Sequence, residues 1–199
     1  MLKDFIQKNK NHISFSKSGF TLIETMVAIS IFSLSILGLM SVLASGVSNT
    51  NYAKEKVIAN YLAQEGLEYI INLRNTYALF GGANGWGDFW DKIRLCDNSV
   101  DADQACYFDP SSINYSNPIQ PIILMTVSSC PSGICPSLYY TTTGKYNYDI
   151  LGNDSGFIRK IQANQIGANQ VKISSTVSWN QGSGLHSATF SEYLFNWIK

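Results

Sequence analysis

Few residues in this 199-residue sequence are placed to do chemistry, and Glu24 has the strongest context. It is the only charged residue between Phe20 and Val47. A carboxylate at the centre of a membrane helix costs about 2.5–3.5 kcal/mol on insertion scales, so it requires a partner. No cationic side chain lies within one helical turn of it in sequence. A cut between Gly19 and Phe20 would create a cationic amine four residues before Glu24. At 1.5 Å rise per residue, the two charges would lie about 6 Å apart along a helix. Within one subunit the amine would partly neutralise the carboxylate. Between axially staggered subunits the same pair would dock one helix on the next.

The other reactive side chains form weaker patterns. Cys96, Cys106, Cys130 and Cys135 all lie beyond the apolar run. In an oxidising compartment an even count points to disulfides, with three possible connectivities. Local pairing, Cys96–Cys106 and Cys130–Cys135, is favoured, because each pair brackets a short loop. Such bridges are expected to hold irregular loops that carry little core. A four-thiolate zinc site is the rival, but zinc knuckles place two to four residues between cysteines, and nine lie between Cys96 and Cys106. Free thiols are the third reading. Asp97, Asp101, Asp103 and Asp109 suggest calcium only by composition: counted from Asp97, the sixth position is not Gly and the twelfth is not Glu, as an EF-hand requires. No metal site is expected. His12 and His186 have no Ser, Cys or ligand partner at a readable spacing, so no catalytic residue, cofactor or enzyme activity is expected. Gly81-Gly82-Ala83-Asn84-Gly85-Trp86-Gly87 lacks the Lys-Ser or Lys-Thr of a phosphate loop and reads as a flexible turn.

These residues must be positioned by elements that the composition already constrains. Charged residues make up 14% of the chain, against about 25% in an average soluble domain. The net charge is zero but uneven: the first 19 residues carry four Lys and one Asp, and the remainder 10 basic and 13 acidic residues. A basic start before an apolar run is a targeting layout. Thr25–Val47 gives 23 uncharged residues without Pro, enough to cross a hydrocarbon core of about 30 Å. The preceding lysines predict a cytoplasmic N-terminal flank and an exported remainder. Gly38 and Gly46 are tolerated in such a helix. From Asn49 to Arg74 there is again no Pro, and Ile58, Leu62, Tyr69 and Leu73 share one helical face. One helix is therefore expected from about Thr21 to Asn75, apolar all round in its first half and amphipathic in its second. An ordinary secretory signal, cut near Ala44-Ser45-Gly46, would have a shorter apolar region of about 7–15 residues. An uncleaved single-pass anchor is the stronger rival.

After Asn75 the pattern changes to strands and turns. Asp88–Leu95 reads as a short helix or strand, and Asp97–Asn117 as surface loop. Strands are expected at Ile122–Ser128, at Leu138–Thr142 and Lys145–Asp149 around a Thr143-Gly144 hairpin, at Phe157–Gln162, and at Ser187–Trp197. Val171, Ile173, Ser175, Val177 and Trp179 line one face of another, with a turn at Asn180–Gly184. The fold class is α+β: a long N-terminal helix, transmembrane in its first half, whose amphipathic half packs on a C-terminal antiparallel sheet. The mildly acidic remainder offers no electrostatic footprint for nucleic acid.

Ser18-Gly19-Phe20-Thr21-Leu22-Ile23-Glu24, followed by the apolar stretch, resembles the class III prepilin signal of type IV pilins and pseudopilins. The resemblance covers about 30 residues closely. It implies that a membrane prepilin peptidase cuts after Gly19 and methylates the new amine of Phe20, and that Glu24 serves filament assembly. It divides the chain into a cleavable cytoplasmic leader (1–19), a transmembrane and assembly helix (20–47), the amphipathic half of the same helix (48–75) and a pilin-like globular head (76–199). Leu62-Ala63-Gln64-Glu65-Gly66-Leu67-Glu68, Phe157-Ile158-Arg159-Lys160-Ile161, Val177-Ser178-Trp179 and Leu194-Phe195-Asn196-Trp197 further resemble minor pilins of the PilV type. The implied function is a structural subunit of a type IV pilus or related filament. Its implied partners are prepilin peptidase, other pilin subunits through the N-terminal helix, and membrane lipid before assembly. The implied location is the inner membrane with the head exported, then the filament at the cell surface. A pseudopilin of a type II secretion or competence system is the alternative, as is a membrane-anchored adhesin or binding module.

Overall fold

The computed structural model describes residues 19–99, 101–109, 126–182 and 184–197. The chain divides into two compact units, Met1–Ser48 and Asn49–Lys199. The boundary falls inside one 59-residue helix, α1, Leu22–Phe80. The helix continues past the expected end at Asn75 because Thr76–Phe80 contains no breaker. It stops where glycine allows a sharp reversal: Gly81 donates its N–H to the Tyr77 carbonyl at 2.8 Å, and Gly82 takes a left-handed φ of 60° that favours glycine. The glycine-rich stretch is thus a closed turn. It leads through a 3-10 turn, Gly82–Asn84, into a second helix, α2, Gly85–Ile93. Trp86, Phe89 and Ile93 recur at helical spacing there, and Phe89 and Ile93 are buried.

The second unit is built on seven antiparallel strands: β1 Cys106–Tyr107, β2 Ser128–Ser129, β3 Ser137–Tyr140, β4 Tyr146–Asn147, β5 Asn153–Gly167, β6 Gln170–Gln181 and β7 Gly184–Phe195. The last three form a meander in chain order. The other edge of β5 is shared by β3, through Ser137↔Ile158, and by β1, through Cys106↔Ile161. Of the expected strand at Ile122–Ser128, residues 122–125 lie outside the described residues. β5 runs well beyond the expected Phe157–Gln162 at both ends, since pairing with β6 carries the polar residues Asn164 and Gln165 into the ladder.

Alternation on β6 buries Val171, Ile173, Ser175, Val177 and Trp179, which all point to one face. Ala59, Leu62, Ala63, Gly66, Leu67, Tyr69, Ile70 and Leu73 of α1 are buried as well. Two apolar clusters result. Ala59, Leu62 and Ala63 pack with Phe157, Val177 and Trp179. Ile70 and Leu73 pack with Phe89, Ile93, Val171, Ile173 and Leu194.

Between these clusters in register lie Arg159 and Ser175, the two buried polar residues among the described residues. Their space exists because residue 66 is glycine. A Cβ there would run into the Ser175 hydroxyl and come within 3.3 Å of the Arg159 Cδ. Arg159 is fully buried and pairs with Glu65, whose side chain is 43% exposed. It also donates to the carbonyls of Leu62 at 3.4 Å and Phe108 at 3.3 Å. Its guanidinium stands 4.1 Å from the Phe108 ring centre, and that ring stacks on Tyr69. A buried charge requires such pairing and hydrogen bonding.

Phe108 corrects the reading of Asp97–Asn117 as surface loop. Ala105, Cys106 and Phe108 are buried, because a few core-seeking side chains override a Ser/Asp/Asn-rich composition. The cysteines form two disulfides, Cys96–Cys106 and Cys130–Cys135. Contrary to the expectation of bridges that carry little core, Cys96 and Cys106 are fully buried among Ile93, Phe108 and Ile161. The Cys130 N–H donates to the Ala105 carbonyl at 2.9 Å, which ties one bridged segment to the other.

Gly66→Val is expected to lower stability by about 1–3 kcal/mol in denaturant unfolding, the usual range for overpacking. Gly87→Ala, where a Cβ meets nothing within 4 Å, should be near neutral; equal effects would contradict this account of Gly66. On loop-closure entropy, removing Cys96–Cys106 by paired serine substitution should cost about 3 kcal/mol and removing Cys130–Cys135 about 2 kcal/mol. The burial of the first pair should widen that gap, and a reversed order in the two unfolding midpoints would count against it.

Candidate functional site

In the first unit, Gly19, Phe20 and Thr21 precede α1 and are exposed. Thr21 caps the helix. Its Oγ1 accepts the Glu24 N–H at 3.4 Å, and Glu24 Oε2 accepts the Thr21 N–H at 3.5 Å. This is a reciprocal capping box, and the spacing Thr21-x-x-Glu24 is its sequence signal. The reading of Glu24 from charge alone missed it. The box gives Glu24 two tasks at one place. It satisfies an orphan amide at the helix start, and it sets a carboxylate at the positive end of the helix dipole, typically worth about 0.3–1 kcal/mol. Among the described residues the ion pairs are Arg94–Asp91 and Arg159–Glu65, so none of these cations meets Glu24.

The helix that follows is long and apolar enough to cross a membrane, with a mean hydropathy of 2.3 over its best 18 residues, none of them buried. Five of its hydroxyls are turned inward onto the backbone. Thr25 Oγ1 donates to the Leu22 carbonyl, and Ser30, Ser33 and Ser35 to the carbonyls of Met26, Ile29 and Ile31, all at 2.8 Å. Ser45 does the same to Ser41 at 3.0 Å. Back-bonding of this kind satisfies these five hydroxyl donors within the helix, where an apolar medium would offer them no partner. The side chains presented outward are Ile, Leu, Met, Val and Phe, and Glu24 is the charge among them.

The remaining candidate residues do not converge. Among the described residues no group of three or more His, Cys, Asp or Glu side chains is placed to hold a metal ion. Asp97 and Asp101 instead close local turns by accepting the N–H groups of Ser99 and Asp103 at 2.9 and 3.0 Å. Asp109 follows the Cys106–Tyr107 strand by two residues. His186 packs against Tyr52, ring centres 5.0 Å apart, and Trp179, 5.6 Å apart, as part of an aromatic cluster. His12 lies outside the described residues. Arg159, whose role the sequence did not reveal, is the one fully buried cation among the described residues, and it holds helix, sheet and loop at once.

Residues 14–47 match the family described as the prokaryotic N-terminal methylation motif. The chain is also similar to the type II secretion system protein I of Escherichia coli, with 38% identity over 48 residues. That match covers 24% of this chain and 39% of the relative, so the chain spans about two-fifths of the curated relative's length. No solved structure matches the chain. The matched motif begins ahead of Gly19 and ends where the apolar run ends, at Val47. It therefore takes in the capping box and the outward apolar surface together, and it is this N-terminal segment in which the chain is similar to the methylation-motif family and to the type II secretion protein.

Proposed function

We propose that this chain is a structural subunit of a type IV pilus or related filament, made as a precursor and anchored in the inner membrane before assembly. The leader, residues 1–19, stays cytoplasmic and is removed by prepilin peptidase between Gly19 and Phe20. The same enzyme methylates the Phe20 amine. The helix of residues 20–47 then leaves lipid for helix–helix contacts, and Glu24 meets the Phe20 amine of a neighbouring subunit. The head stands in the exported compartment, where its disulfides are stable. The role is structural and not catalytic.

The observation that carries this reading is the junction Gly19-Phe20 placed one helical turn before Glu24, at the start of a helix whose first half exposes a long run of large apolar side chains with Glu24 as its one charge before Val47. Loss of lipid contacts is compensated by packing against equivalent helices, and a carboxylate costly in lipid is neutralised by the amine. The sequence segments that resemble PilV-type proteins favour a minor pilin. The similarity to a type II secretion protein favours a second reading, a pseudopilin, which uses the same anchor and the same assembly step.

Glu24→Ala and Glu24→Leu should leave membrane insertion intact and reduce incorporation into sheared filaments by at least tenfold. Immunoblots of membrane and sheared fractions would read both quantities. Normal incorporation of either variant would overturn the mechanism.

A further inference from the structure

The two ends of the second unit carry complementary surfaces. At the Phe195 end, an open cleft lies between the end of α1, the start of α2 and the end of β7. Trp86, Phe89, Phe195 and Trp197 wall it, and Arg74 stands among them. The Arg74 guanidinium lies 5.3 Å from the Trp197 ring centre. Its Nε and Nη1 are buried without a hydrogen-bond partner. Burial pulls its pKa below the usual arginine value, while Glu192 acts in the opposite sense. The walls are fixed in place: Trp86 Nε1 donates to the Ala168 carbonyl at 2.9 Å, and Asn196 bonds Asn169 through backbone and side chain at 3.0 and 2.9 Å. Leu79, Phe80, Phe195 and Trp197 leave large apolar surface exposed around the mouth. Such a patch marks an interaction site, and Trp and Arg are the residues that anchor interfaces.

At the other end, the turn before β5 projects Ile150 and Leu151 into solvent, 77% and 90% exposed. The turn is rigid. The Leu151 N–H donates to Asp149 Oδ1 and the Gly152 N–H to the Asp149 carbonyl, both at 3.0 Å. The Asp149 N–H donates to Asn147 Oδ1 at 3.2 Å. Exposed carboxylates at Asp149 and Asp154 flank the apolar pair. Register places the two sites at opposite ends of the sheet. Asn153 opens β5 at the Trp179 end of β6, whereas Phe195 pairs with Gln170 at its other end. At about 3.3 Å per residue, β5 alone separates them by about 45 Å.

We infer that the acidic, apolar-tipped turn Asp149–Asp154 of one copy seats in the Arg74–tryptophan cleft of a second copy of this chain. The match is apolar tip to aromatic wall and carboxylate to the Arg74 cation, which supplies specificity through charge complementarity. The two surfaces differ and lie at opposite ends, so the contact is heterologous and propagates as an open row. The inference rests on the filament reading only for the alignment of successive copies.

The test places photoreactive benzoylphenylalanine at Ile150 in the full-length chain in its producing host, with adducts mapped by mass spectrometry. The expected adduct joins residue 150 of one copy to a peptide containing Trp86 or Trp197 of another. Leu151→Asp, at a site outside the core, should lower its yield at least tenfold, and Arg74→Gln should also lower it. Adducts to a different protein, adducts elsewhere on this chain, or no adduct in assembled filaments would overturn the contact. So would a yield unmoved by Leu151→Asp. Sheared fractions score filament incorporation separately: the adduct in a chain absent from filaments would uphold the contact and reject the filament reading.

Discussion

The first half of α1 presents Ile, Leu, Met, Val and Phe outward on every side, and water is a poor medium for such a surface. At about 25 cal/mol per Å² of apolar area, each of these exposed side chains adds to the cost of leaving the surface in water. Everything else about the chain follows from where that surface is placed. Lipid accepts it, and so do equivalent helices. On the proposed function, Glu24 is tolerated in the first setting and useful in the second. The capping box with Thr21 shows how a carboxylate persists at this point: it satisfies the helix start and remains beside any positive charge that appears at Phe20.

The second unit solves a different problem, that of holding one amphipathic helix on a twisted sheet. Apolar packing accounts for the two clusters at either end, but the middle depends on Arg159. Gly66 lets the helix approach closely, and the space left by its missing side chain is occupied by the arginine stem and Ser175. The guanidinium then reaches the helix through Glu65 and Leu62 and the loop through Phe108. A charge buried in this way adds less net stability than an apolar replacement of equal shape would, but it is unforgiving of misregister. It therefore fixes which turn of α1 sits over which residue of β5.

Much of this was legible in the sequence, because periodicity reports directly on burial. The face Leu62, Tyr69, Leu73 and the alternation from Val171 to Trp179 both read correctly, as did the hairpin around Thr143-Gly144. The first half of α1 was legible for a simpler reason: 23 uncharged residues without Pro read as one continuous apolar helix, and α1 runs through all of them. What failed were places where tertiary contacts outweigh local composition. Asp97–Asn117 looks like loop by its Asp, Ser and Asn content, yet Phe108 and the Cys96–Cys106 bridge draw part of it into the core. Arg159 looks like a surface residue of a strand, and only the glycine opposite it on α1 reveals that it is buried. Gly81–Gly87 looks flexible, but a closed turn and a helix use the same residues.

The most direct test of the account is the mass of the mature protein extracted from membranes of its own host, with the N-terminal peptide sequenced by fragmentation. The account predicts a chain beginning at Phe20 with one methyl group on its amine. A chain still beginning at Met1, or one cut after Gly46, would contradict it, because Glu24 would then have no amine one turn away or would no longer be part of the mature protein.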